Sequence, residues 1–283
     1  MTRPIPHLVS PSWLTEHQHE RDLRIVDVRW KLGDPAAGRR AYEQGHLPGA
    51  AFLDVDTDLS APRGAGPGRH PLPSAQAFAG TMERIGVGDS TLVVAYDDAG
   101  GAVAARLWFL LRYFNHETGA VLDGGIQAWQ AAELPLLSEQ PKLTPPPGGF
   151  HAQPRPELVV SRAEVARHRG LLVDARQPQR YRGELEPVDP RPGHIPGARN
   201  APFADNLIQV TGPFQPPEQL RAQYERLGAR EGGDVIAYCG SGVTACHDLL
   251  ALELAGITGA RLYEGSWSDW SSDPSLPAAK GDS

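Results

Sequence analysis

The chain has 283 residues, a formal net charge of −7, 40% hydrophobic residues and 22% charged residues. That is the make-up of a globular protein, and at roughly 150 residues per domain it predicts two domains. No stretch approaches the roughly 18 apolar residues of a membrane span, Lys and Arg form no stripe for a nucleic acid, and MTRPIPHLVS lacks the apolar core of a signal peptide. No membrane or nucleic-acid partner is therefore expected, and the cytoplasm is the expected location.

Taken in order, the first half runs IVDVRW (25–30), GHLPGA (45–50), LVVAYDDAGGAVAARLWFLL (92–111) and DGGIQAW (123–129). The second runs LVDARQ (172–177), GHIPGA (193–198), VIAYCGSGVTACHDLLALE (235–253) and EGSWSDW (264–270). Four landmarks recur in one order at offsets of 141 to 148 residues, the mark of a domain duplication rather than a short-period solenoid. Short β-branched runs alternate with helical patterns, among them 102–114 and 246–255. This predicts an α/β fold of two tandem domains, each a mainly parallel sheet flanked by helices. Between the copies, LPLLSEQPKLTPPPGGFHAQPRPE carries prolines and glycines that cannot continue a helix or a central strand. The expected division is a first domain over 1–140, a Pro-rich linker over 141–156 and a second domain over 157–283.

Features present in both halves are candidates for framework, and those in one half are candidates for chemistry. His46 and His194 lie in the two Gly-His-X-Pro-Gly-Ala turns and are expected to fix them by hydrogen bonding. Trp129 and Trp270 are expected to pack in the cores, and Ser266, Trp267 and Ser268 to serve local turn structure. The halves differ where Asp97 stands opposite Cys239. A ligand cleft between two domains would let the first contribute walls and supporting groups.

Cys239 follows a predicted strand over 234–238 and precedes a helix predicted to begin near Thr244. At such a strand-to-helix turn, N–H groups at the helix start point toward the ligand crevice, and Gly240 and Gly242 allow the backbone to curl into an anion nest. A sulfur held there is favoured as thiolate, the nucleophilic form. Ser241 and Thr244 add hydroxyls that can reach the sulfur or a substrate oxygen. Cys246, seven residues on and inside the helix, reads as core. Two cysteines make a poor metal site, so no metal is expected. A cysteine phosphatase needs an arginine six residues after the cysteine, where Ala245 stands. Sulfur transfer suits the loop better, since it needs an attacking thiolate and a cradle for the persulfide.

On the loop CGSGVTAC (239–246), the paired GH[IL]PGA turns, EGSWSDW and RYRGELEP (180–187), the chain resembles the tandem-domain rhodanese-like sulfurtransferases over nearly its whole length. The resemblance implies that only the second domain is catalytic. Within the family, Cys-Gly-Ser-Gly-Val-Thr resembles the loop of members that use 3-mercaptopyruvate, whereas thiosulfate-specific members carry a basic loop. It implies Cys239 as nucleophile, with Gly240, Gly242, Val243 and Thr244 cradling the donor. Arg180 would bind the donor carboxylate, and Ser241, His70 and Asp56 would form a hydroxyl relay. One departure is plain: the arginine expected after Glu186-Pro187 is replaced by Val188, leaving Arg191 or Arg182 as substitutes. The implied partners are a small-molecule sulfur donor and a thiol, cyanide or thioredoxin-like acceptor, with no organic cofactor. Two alternatives stand beside this: a thiosulfate sulfurtransferase on the same fold, and a non-catalytic module that binds an anion or a partner protein.

Overall fold

Buried apolar runs form the central strands of two parallel sheets in the computed structural model, which describes residues 5–144, 146 and 148–282. The N-terminal half contains β1 (Leu8–Val9), α1 (Pro11–His17), β2 (Leu23–Asp27), α2 (Ala37–Gln44), β3 (Ala51–Phe52), α3 (Ala75–Arg84), β4 (Leu92–Tyr96), α4 (Ala104–Tyr113), β5 (Gly119–Leu122) and α5 (Gly125–Ala131). The C-terminal half contains α6 (Arg162–Arg167), β6 (Leu171–Asp174), α7 (Pro178–Tyr181), β7 (Arg199–Asn200), α8 (Pro217–Leu227), β8 (Val235–Tyr238), α9 (Ala245–Leu254), β9 (Arg261–Leu262) and α10 (Ser266–Trp270). Local chemistry starts several helices: Ser10 and Ser74 cap α1 and α3, and Ser161 with Glu164 forms a capping box on α6.

The first sheet has the order β1-β5-β4-β2-β3 and the second β7-β6-β8-β9, with every pairing parallel. A parallel bridge from Val159 to Leu262 occupies the edge that β1 takes in the first sheet, so the two topologies correspond. All residues of β4 and β8 are buried, as expected of strands covered by helices on both faces. Each sheet has its own core, one around Ile25, Val94, Leu122 and Trp129, the other around Leu172, Ile236, Tyr263 and Trp267. Among the described residues no helix is long and apolar enough to cross a membrane.

The duplication extends to individual hydrogen bonds. Arg29 clasps Asp27 and donates to the Gly45 carbonyl at 2.7 Å; Arg176 does the same with Asp174 and Gly193, also at 2.7 Å. Nδ1 of His46 and of His194 donates at 2.8 Å to the carbonyl of Tyr42 and of Tyr181, and each imidazole stacks on that tyrosine. Both histidines are buried turn anchors, as their recurrence suggested. Trp129 and Trp270 fill the two cores and donate from the indole to Pro135 and Pro277.

The chain forms two compact units whose limits differ from a simple cut at the linker. One comprises the chain up to Ala61, Pro73–Arg155 and Gln209–Phe214; the other comprises Pro62–Leu72, Pro156–Ile208 and the chain from Gln215 onward. The Pro-rich segment belongs to the first unit: Phe150 N–H donates to Glu83, and the N–H groups of Gln153 and Arg155 donate to Phe114 and Tyr113. The segment 62–72, although it lies in the first half of the sequence, is part of the second unit.

Candidate active site

Strand β8 ends at Tyr238, and the next residue, Cys239, is carried on the turn into α9. The Gly242 N–H donates to the Cys239 sulfur at 3.1 Å, so a backbone donor of the turn is aimed at that sulfur. Gly242 has φ +80°, and a Cβ there would lie 2.5 Å from the Glu264 carbonyl oxygen, so the turn admits only glycine. Val243 is buried behind the loop, and Thr244 starts α9 without a side-chain cap. Cys246 is core: its thiol donates to the Gly242 carbonyl at 3.3 Å from within the helix.

The GSWSD turn does more than shape itself, which the sequence reading understated. Ser266, with φ +53°, accepts the Cys239 N–H at 3.0 Å through its hydroxyl and donates to the Tyr263 carbonyl at 3.0 Å. Trp267 and Ser268 donate their N–H groups, each at 2.9 Å, to the carbonyls of Cys239 and Gly240. The start of α10 thus holds the nucleophile loop from beneath. The positive φ of a serine is a cost sustained by these bonds.

The corresponding turn of the first unit shows what such a loop binds. Asp97 directs its carboxylate into it and accepts four N–H bonds, from Ala99, Gly101, Val103 and Ala104, at 2.7 to 2.9 Å. The turn is an anion nest filled by its own side chain. Where the first copy holds a carboxylate, the second presents a sulfur.

Among the residues implied by resemblance, Ser241 and His70 meet: Ser241 Oγ and His70 Nδ1 are 2.7 Å apart, and both side chains are buried. His70 arrives on the segment 62–72, which is pinned by Leu72 N–H to Glu264 at 2.9 Å and by Arg69 N–H to Ser268 at 3.1 Å. Asp56 lies in the N-terminal unit, where its carboxylate accepts the Trp30 indole N–H at 2.8 Å.

Arg180 stands over the loop. A Cβ at Gly240 would lie 3.3 Å from its Nη1 and 3.2 Å from Nη2 of Arg69. Behind them runs a ladder of alternating charge: Asp174 with Arg176 at 2.6 Å, Arg176 with Glu186 at 3.2 Å, Glu186 with Arg180 at 2.7 Å, Arg180 with Asp189 at 2.9 Å, and Asp189 with Arg69. Burial works against the charge of Arg176, yet Asp174 and Glu186 raise its pKa above the ordinary value. Such a ladder orients guanidiniums more than it stabilises the fold, because desolvation offsets much of the attraction.

The two proposed substitutes for the missing arginine have other partners. Arg191 directs its guanidinium to the carbonyls of Ser271, Leu276, Trp270 and Asp273 at 2.7 to 3.1 Å, pinning the C-terminal segment. Arg182 pairs with Glu184 on the surface. The expectation that Arg191 binds the donor has no support in this geometry. Glu186, Asp189 and Arg69 were not singled out from sequence. The first two lie in or beside the quoted RYRGELEP stretch, but nothing in one sequence marks which acids face which arginines.

Comparison with known proteins agrees with this arrangement. The rhodanese-like domain model matches residues 10–132 and again 159–273. The chain is 46% identical over 282 residues to a probable 3-mercaptopyruvate sulfurtransferase of Pseudomonas aeruginosa, covering 97% of this chain and 98% of that one. It is 40% identical over 267 residues to a putative thiosulfate sulfurtransferase of Mycobacterium tuberculosis, covering 92% and 91% of the two chains. Among solved structures, the 3-mercaptopyruvate sulfurtransferase from Leishmania major superposes with a TM-score of 0.83 at 30% identity, covering 95% of this chain and 76% of that one. A duplicated parallel α/β domain, a cysteine on the strand-to-helix turn of the second copy and full-length similarity lead to one assignment: the chain belongs to the tandem-domain rhodanese-like sulfurtransferases.

Proposed function

We propose that the protein moves sulfane sulfur from 3-mercaptopyruvate through a persulfide on Cys239. The thiolate attacks the donor sulfur, the carbon–sulfur bond breaks, and its electron pair passes to the pyruvate enolate, which takes up a proton. The outer sulfur stays on Cys239 beside the Gly242 N–H until a thiol, cyanide or a thioredoxin-like protein accepts it. Arg180 binds the donor carboxylate. Ser241 and His70 carry the proton. The observation that carries this reading is a cysteine sulfur that accepts a loop N–H beside a buried Ser241–His70 pair. A reduced, reactive thiol and a net charge of −7 fit a cytoplasmic protein without nucleic-acid or membrane partners.

A thiosulfate donor is the second reading, and the name of the Mycobacterium tuberculosis relative favours it. The loop Gly240-Ser241-Gly242-Val243-Thr244 carries no basic residue of its own, so the positive charge at the site comes from arginines outside it, which suits a donor whose carboxylate lies away from the sulfur. Intact-protein mass after incubation with each donor separates the readings. We expect a cyanide-labile gain of one sulfur atom, faster with 3-mercaptopyruvate and absent in Cys239→Ser. Faster loading by thiosulfate would move the assignment to that donor. No loading by either, with Cys239 still alkylating readily, would favour a binding module.

A further inference from the structure

We propose that Arg69, delivered by the segment Pro62–Leu72, is a donor-binding residue that clamps the anionic group of the sulfur donor together with Arg180. The proposal rests on the sulfur-donor reading above and extends it to a residue outside the RYRGELEP stretch. Three observations converge on it. The guanidiniums of Arg69 and Arg180 approach one point, since a methyl group at Gly240 would lie 3.2 Å from the first and 3.3 Å from the second. That point is on the residue after the nucleophile.

The pair already holds a carboxylate. Asp189 accepts from Arg69 Nη1 through one oxygen and from Arg180 Nη2, at 2.9 Å, through the other. Two guanidiniums straddling one carboxylate are arranged to bind a second planar anion, because each presents a fork of N–H donors. Burial pushes the Asp189 carboxyl above its ordinary pKa, and both arginines oppose the shift.

Arg69 also keeps capacity that its neighbour has used. Arg180 donates from Nε to Glu186 at 3.3 Å, whereas Arg69 Nε is buried and has no hydrogen-bond partner among the described residues. A buried donor left unmatched is costly and points to a ligand that completes it.

The test compares Arg69→Ala and Arg69→Lys with wild type in two assays on the full chain. The first is the rate of Cys239 alkylation by iodoacetate and by the neutral iodoacetamide. The second is the concentration of 3-mercaptopyruvate giving half-maximal persulfide loading, read by intact mass. Arg69→Ala should lower the iodoacetate-to-iodoacetamide rate ratio about tenfold and raise the half-saturating donor concentration about tenfold, as expected for loss of one charge-assisted contact. The maximal loading rate should change less. Arg69→Lys should recover part of both effects, since it keeps the charge and loses the fork. An unchanged ratio and half-saturation in Arg69→Ala, or an equal fall in both alkylation rates, would overturn the proposal and leave Arg69 a structural residue. If wild type takes no sulfur from the donor yet the alkylation ratio still falls in Arg69→Ala, the anion clamp stands and the donor assignment fails.

Discussion

Asp97 and Cys239 each follow the central strand at matching places in two turns that otherwise differ in sequence and length. Asp97 puts a permanent carboxylate where four N–H groups converge, and Cys239 puts a sulfur at the matching turn. The first loop is satisfied internally and has no need of a ligand. Its anion is also structural, because removing it strands buried donors. Asp97→Ala should therefore cost about 3 kcal/mol, seen as a lower urea midpoint. Asp97→Asn, which keeps the shape and loses the charge, should cost less. Equal stability of Asp97→Ala and wild type would show that water satisfies the nest as well as the carboxylate does.

At the scale of elements, α9 carries the loop on its first turn and a buried polar cluster on its next residues. Asp248 is fully buried; its Oδ1 accepts from Asn206 Nδ2 at 2.9 Å, and the Asn206 carbonyl in turn accepts from Tyr224 at 3.0 Å and from Gln223 at 3.0 Å. Burial pushes the Asp248 carboxyl well above its ordinary pKa, and its hydrogen bonds offset this only in part. The folded value thus exceeds the unfolded one, about 3.9. The contribution to stability is complete below that unfolded value and is lost as pH rises through the folded value. Asp248→Asn cannot ionise, so the variant should gain on wild type as the pH is raised from 5 to 9. Urea midpoints for both proteins across that range would measure the gain, and a difference independent of pH would contradict it. Helix placement here follows sequence closely: α9 and β8 lie within a residue of the spans expected from glycine stops and β-branched runs.

At the scale of the whole molecule, the chain is duplicated but its units are not simple halves. The segment 62–72 belongs to the second unit and Gln209–Phe214 to the first, where Phe214 N–H donates to Asp123 at 2.8 Å. The seating of 62–72 depends on Gly68, with φ +75° and a Cβ position 2.5 Å from the Gly265 carbonyl oxygen. Gly68→Ala should lift the segment, separate His70 from Ser241 and slow persulfide loading of Cys239 by about tenfold or more, given a strain of about 1–3 kcal/mol. Loading at the wild-type rate would show that the segment's seating is not needed for the chemistry.

Much was legible without coordinates. Alternating strand and helix patterns specified a parallel α/β fold, because hydrophobic period and glycine punctuation are local properties of the chain. Duplication identified the turn histidines and core tryptophans as framework. It also left Cys239 as the candidate for chemistry, since its counterpart is Asp97. The pairing of Ser241 with His70 was implied by resemblance and is present at 2.7 Å. Arg191 illustrates the limit. The resemblance implied a second arginine after Glu186-Pro187 and Arg191 stood near enough to substitute for it, but four backbone carbonyls claim its guanidinium.

By itself, then, the sequence determined the fold class and the duplication and singled out Cys239 as the candidate nucleophile, all of which follow from local pattern and from comparing one half with the other. Only the tertiary structure decided that Arg69 joins the Cys239 loop, that Asp189 bridges two arginines and that the first copy's nest is closed by its own carboxylate. These are meetings of groups as far as 171 residues apart in the chain. They depend on backbone turns and side-chain directions set by packing, which leave no periodic trace in the order of residues.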